Sequence, residues 1–223
     1  MIKQLIIGLA CEGPTDARFL SSIIKRTFED VIFEFTTNVE ILDVQNIIVP
    51  NDAFNDYARN AAKEGAEKFG ILVLCLHADA DDFTDENTFE TKIKPAIESI
   101  ANSEIDICKN IIPIVPIKMT ESWLLADQEC FKDEIGTSNS FADLGIDRPP
   151  ENLSDPKNTI SEAIRIAFED KPARRKRPKI SELYLPIGQK CSIVHLEKLT
   201  SYSKFKDAVK DCLLELNYIQ SVD

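Results

Sequence analysis

Continuous apolar runs of strand length alternate along this chain with stretches whose apolar residues recur every three or four positions. Ile2 to Cys11 (IKQLIIGLAC) is the first run, and it leads directly to Gly13-Pro14, a turn signal. Thr15 or Asp16 can cap a helix reaching about Phe28, with Phe19, Leu20, Ile23 and Ile24 on one face. Val31 to Val44 is β-branched and aromatic, which predicts one long strand or a hairpin. Asp52 to Phe69 predicts a helix closed by Gly70. Ile71 to Leu76 (ILVLCL) is the second continuous run, and Thr88 to Ala101 returns to helical spacing. Ile111 to Ile117 (IIPIVPI) is the third; its prolines predict an edge position. Glu121 to Asp127 (ESWLLAD) predicts the start of another helix.

The pattern weakens after about residue 130. Asp133 to Pro156, rich in Gly, Ser, Asn, Asp and Pro, reads as a long loop or lid. Asn158 to Phe168 predicts a short helix, Lys171 to Lys179 is a basic run, and Phe205 to Leu216 predicts a last helix. Fully apolar strands separated by amphipathic helices imply an α/β fold, a parallel sheet covered on both faces. The expected division is a sheet-bearing domain over residues 1–130 and a helical and loop extension over 131–223, packed on the same domain. Right-handed crossovers would line up the carboxyl ends of the strands along one rim.

Composition narrows the function. With 223 residues and 43% hydrophobic content, the chain can bury a full core. A net charge of −12 argues against a passive nucleic-acid coat, because most of the surface repels phosphate. Cys11, Cys75, Cys108, Cys130, Cys191 and Cys212 are scattered with no Cys-x-x-Cys pair, which suggests reduced, buried thiols in a cytoplasmic protein. The run from Leu5 to Cys11 is too short for a membrane span and lacks the marks of a signal peptide.

Three acidic residues fall at the ends of predicted strands. Glu12 follows the first, while Asp79 and Asp81 follow Ile71–Leu76 at a spacing that gives an extended pair one shared face. The rim of an open parallel sheet is where ligands bind. Carboxylates gathered there repel one another unless a cation intervenes, and Mg²⁺ or Mn²⁺ with oxygen ligands resolves the conflict. Each residue also has a plainer reading. Glu12 can end a strand in solvent, and Asp79, Asp81 and Asp82 can form a solvated loop or a helix start. Asp82 is an alternative to Asp81 in the pair. His77 can position a phosphate or merely end a strand. Trp123, Asp127 and His195 suit packing or surface roles better than chemistry.

Glu12-Gly13-x-Thr15-Asp16 with Asp79-x-Asp81 resembles the Toprim domain of primases, topoisomerases and overcoming-lysogenization-defect nucleases. With Glu121-Ser122-Trp123-Leu124-Leu125-Ala126-Asp127 and Asp155-Pro156-Lys157, residues 1 to 215 are similar to the bacterial Toprim-like domain-of-unknown-function 4276 family. The resemblance implies a Toprim-like Rossmannoid sheet and a Mg²⁺-dependent nuclease. Glu12 takes the place of a catalytic acid/base or ligand, and Asp79 and Asp81 that of the metal pair. Glu121 would add a further ligand. It also implies bacterial phage defence beside an AAA- or ABC-type ATPase partner, with a non-catalytic regulatory module as the alternative. Aspartate stands at position 16 where the family usually has glutamate.

Lys171, Arg174, Arg175, Lys176, Arg177 and Lys179 concentrate positive charge in an acidic chain. Arg174, Arg175, Lys176 and Arg177 are therefore the candidate nucleic-acid contacts, with a solvated loop as the plainer reading. No feature predicts membrane contact. Oligomerisation stays open.

Overall fold

The computed structural model describes residues 2–11, 13–35, 38–50, 53–169, 171–172 and 176–220. Four parallel strands form its central sheet in the order β4 (Gln45–Asn46), β2 (Ile7–Ala10), β5 (Val73–His77), β6 (Ile111–Ile114). A second parallel pair joins β1 (Lys3–Leu5) to β3 (Val39–Ile41). The first apolar run is thus shared between two sheets, with the break at Ile6. β6 lies at an edge, as Pro113 requires, since proline has no N–H for a further neighbour.

Alternation along the strands divides the interior. Ile7, Leu9, Val73, Cys75, Ile112 and Ile114 face a core shared with α1 (Pro14–Phe35) and the C-terminal helices. Leu74 and Leu76 face a second core built with α2 (Phe54–Glu64) and α4 (Lys94–Ala101). α2 runs through a π turn at Gly65–Phe69 before Gly70 closes it at φ 63°, the left-handed conformation predicted for that glycine. α3 (Glu86–Thr88) leads into α4 through a second π turn.

Val31 to Val44 departs from expectation. The helix continues to Phe35, and only short strands follow. Val31 and Ile32 extend the buried stripe of Phe19, Leu20, Ile23, Ile24 and Phe28. Burying each such side chain contributes about 1.5–3 kcal/mol, whereas a β-branched residue costs a helix only about 0.5 kcal/mol. Periodicity wins over residue type here.

The C-terminal residues share the principal core, in which Leu5 and Ile219 both take part. They form α5 (Thr120–Leu124), α6 (Gln128–Ile135), α7 (Pro156–Ala167), α8 (Ile180–Lys190), α9 (Ile193–Leu196) and α10 (Thr200–Glu215). The segment read as a lid begins as α6, and beyond it Leu144, Ile146 and Leu153 are buried. Those anchors make it a packed connection rather than a lid. Trp123 is fully buried, edge-on to Tyr202, with Nε1 donating to Ser201 Oγ at 2.8 Å. α8 lies directly on α1: a Cβ on Gly188 would stand 2.9 Å from the Phe19 carbonyl oxygen.

Candidate active site

β5 carries its alternation past its last strand residue. Ala78 and Ala80 donate to the carbonyls of Ile114 and Pro116, both at 3.1 Å, so the backbone stays extended beside the β6 continuation. Ala78 and Ala80 therefore face the second core, while His77 and Asp79 follow Val73 and Cys75 toward α1 and α5. The residues that share a face are His77 and Asp79. Asp81 adopts φ 57°, which swings its side chain off the direction an extended residue would take, and it is exposed. Its amide instead donates to the Lys118 carbonyl at 2.9 Å, tying the two rim loops together.

Thr120, the first residue of α5, is the hub. Its amide donates to Asp79 Oδ1 at 2.9 Å, and its hydroxyl lies 3.3 Å from the same oxygen. That hydroxyl is also 3.1 Å from His77 Nε2. His77 Nε2 stands 3.2 Å from Asp79 Oδ1; since a carboxylate only accepts, Nε2 carries the hydrogen. His77 Nδ1 is buried and has no hydrogen-bond partner among the described residues.

Asp16 enters from the first turn of α1. Its carboxylate folds over Gly13, where any β-carbon would collide with Oδ2. Burial raises its pKa above the ordinary value, and Asp79 and Glu121 raise it further, against opposition from His77 and the Thr120 hydroxyl. Asp16 therefore feels two further carboxylates, one from the end of β5 and one from α5. Burial and Asp16 also push the nearby Cys11 thiol up to about 12, which rules it out as a thiolate nucleophile near neutral pH.

Glu121 is buried, and its Oε1 accepts from the Tyr184 hydroxyl at 2.7 Å. Burial first, and then this bond to Glu121, push the Tyr184 phenol above its ordinary pKa, so it remains a donor. Lys157 Nζ reaches to 3.7 Å from Glu121 Oε1. The Asp155-Pro156-Lys157 motif explains that reach. Asp155 Oδ1 caps α7 by accepting from Asn158 N at 2.8 Å, Pro156 opens the helix, and Lys157 in its first turn comes within reach of α5.

Asp79 and Glu121 each act on Asp16, and His77, Thr120, Lys157 and Tyr184 adjoin one or the other of them. Asp16 was legible as a helix cap and as part of the Glu12-Gly13-x-Thr15-Asp16 motif but not as an acid of the site, and Tyr184 sits on a helix that the sequence did not announce. Glu12, Arg174 and Arg175 lie outside the described residues. Lys176 pairs with Glu182 at 3.2 Å, and Arg177 donates to the Ser161 carbonyl at 3.3 Å. Neither is joined to the carboxylates by any described contact.

The donor set suits a hard divalent cation in kind: carboxylates and hydroxyls without thiolates. Among the described residues, no three His, Cys, Asp or Glu side chains are grouped to hold an ion by themselves. Mg²⁺ is usually held by one or two carboxylates with water and substrate oxygens, so such a cage is not required. Among the described residues, every hydrogen bond to the Asp79 side chain falls on Oδ1, and 33% of that side chain is open to solvent, leaving Oδ2 for a ligand.

Among the described residues, no helix is long and apolar enough to cross a membrane. A family model described as "Domain of unknown function (DUF4276)" matches residues 11–185, which is most of the chain. No curated protein and no solved structure matches it.

Proposed function

This chain belongs to the DUF4276 family, and from that premise we propose that it is a metal-dependent phosphodiesterase acting on nucleic acid. The observation that carries the reading is the approach of Asp16, Asp79 and Glu121, from three separate elements, around Thr120 at the carboxyl rim. Burial and like charge leave that cluster in need of a counter-cation. Asp79 and Glu121 would hold Mg²⁺ or Mn²⁺, with Asp81 and Glu12 as the further ligands suggested by the Toprim resemblance. The bound ion would polarise the phosphoryl group and lower the pKa of an attacking water. Glu12 would take or return the proton, and Lys157 would offset charge developing on the phosphate. Thr120 and His77 hold Asp79 in orientation. Arg174, Arg175, Lys176 and Arg177 would guide the backbone of the substrate. A bacterial, cytoplasmic defence role with a partner ATPase belongs to the same proposal.

One observation favours a second reading, a non-catalytic module that binds a nucleotide or a partner. Asp79 Oδ1 and Glu121 Oε1 are already engaged by protein donors. A metal titration separates the two, because the module needs no Mg²⁺ or Mn²⁺. The decisive assay incubates labelled DNA and RNA with the purified protein in Mg²⁺ or Mn²⁺, with and without a partner ATPase. Cleavage is expected, and the paired substitution Asp79→Ala with Glu12→Gln should abolish it. Cleavage that survives the pair would refute the assignment.

A further inference from the structure

The β2–α1 turn, against which Asp16 packs, also borders a groove of about 660 Å³. Its walls come from the end of β2, the outer face of α1, the chain after β4 and one residue of α8. Pockets for small ligands run to roughly 300–1,000 Å³, so this one holds a single small molecule or one residue of a polymer, not a duplex. Two apolar side chains stand out in water at its sides, Ile48 at 87% exposure and Leu185 at 46%. Tyr57 lies among the lining residues. Besides Tyr57, the polar side chains are Arg18, Ser21, Ser22 and Asn46. Ser21 Oγ donates to Asn46 Oδ1 at 2.9 Å, which fixes that amide with its nitrogen still available as a donor. Arg18 is exposed and makes no hydrogen bond or ion pair among the described residues, in a protein of net charge −12.

We propose that this groove seats the base and sugar of one unpaired nucleotide, with the phosphate held by Arg18. A flat heterocycle matches two exposed aliphatic flanks around a mostly apolar floor, with one amide to meet a ring edge. A lone guanidinium at such a groove selects an anionic group, and its planar fork suits phosphate. The groove shares Cys11 and Gly13 with the turn that delivers Asp16 to the carboxylates, so a nucleotide seated here continues along its strand toward Asp79. The choice of nucleotide rests on the phosphodiester reading above. It adds that the strand is engaged unpaired, because a base held in a helix cannot enter.

The test is binding without catalysis. The whole protein in EDTA is titrated with 2-aminopurine riboside, its 5′-monophosphate, a short single strand carrying one 2-aminopurine, and the same strand in a blunt duplex. A saturable fluorescence change is expected for the monophosphate or the single strand and not for the duplex; which of the two responds distinguishes a free nucleotide from a strand. Leu185→Asp should weaken the response about tenfold, the scale of one lost apolar contact. Arg18→Ala should weaken the monophosphate much more than the unphosphorylated riboside. Both positions are exposed, and unchanged thermal unfolding confirms that each variant is folded. No saturable response to any probe, or binding indifferent to both substitutions, overturns the proposal. Groove binding in a protein that cuts nothing overturns the phosphodiesterase reading alone. Cleavage with no 2-aminopurine response overturns the groove alone.

Discussion

Asp16 and Asp127 are aspartates on opposite sides of this molecule's chemistry, and their surroundings push them in opposite directions. Asp16 meets burial and two further carboxylates, and its pKa rises. Asp127 is also buried, which by itself raises its pKa. Amide donors from Ser192 at 2.8 Å and Cys130 at 3.1 Å, with His195 Nδ1 at 3.1 Å, outweigh that and lower it. Asp127 joins α6 to the start of α9 and is satisfied where it lies. The rim cluster is incompletely satisfied, and a region left so in an otherwise well-paired protein is poised for a ligand.

The sharpest way to break the comparison is to remove one acid from each side. Asp79→Asn, which removes the charge but keeps an oxygen to accept from Thr120 and His77, should lower metal-dependent cleavage by about a thousandfold, roughly 4 kcal/mol of barrier, while leaving thermal unfolding near wild type. Asp127→Ala should do the reverse. Two uncapped amide groups and a lost histidine contact should cost about 2–3 kcal/mol in urea unfolding, with turnover per folded molecule preserved.

Acid titration of stability sharpens the same contrast. The folded pKa of Asp127 lies below its ordinary value near 4, so its stabilisation is complete above about pH 4 and fades as pH falls through the folded value. The difference in unfolding free energy between wild type and Asp127→Asn should therefore shrink on acidification. A difference that stays constant would mean that the capping geometry, not the charge, carries the effect.

Smaller effects remain. Tyr184→Phe removes the donor to Glu121 and should cost about 1 kcal/mol, the worth of one buried hydrogen bond. Asp16→Asn should leave stability unchanged or slightly higher, since it removes a charge that its neighbours oppose. A clear loss in urea unfolding would show that Asp16 is a structural acid like Asp127.

Much of this was legible from the chain. The three apolar runs became the inner strand and its neighbours, the prolines of Ile111–Ile117 marked the edge, and Gly70 closed its helix. The DUF4276 resemblance also held. What escaped has physical causes. Val31 to Phe35 carry strand-type residues, yet they continue a stripe whose burial decides the outcome. The shared face expected of Asp79 and Asp81 assumed an extended chain, and a left-handed residue at 81 ends that run. Its alternation is honoured one step earlier, by His77 and Asp79. α8 was hidden because Pro186 and Gly188 punctuate it, so Tyr184 could not be assigned. Asp127 looked like a surface acid because its partners, Ser192 and His195, lie far along the chain.

Gly188 turns α8 into a lever resting on α1. Tyr184 and Leu185 are neighbours on that lever, one bonded to Glu121 and the other flanking the groove. A methyl group at position 188 would press on the backbone at Phe19 and lift the helix, displacing both ends of the proposed substrate path together. Grip on the base and aim of the carboxylates are thus set by a single separation, and neither can be retuned by moving this helix without disturbing the other.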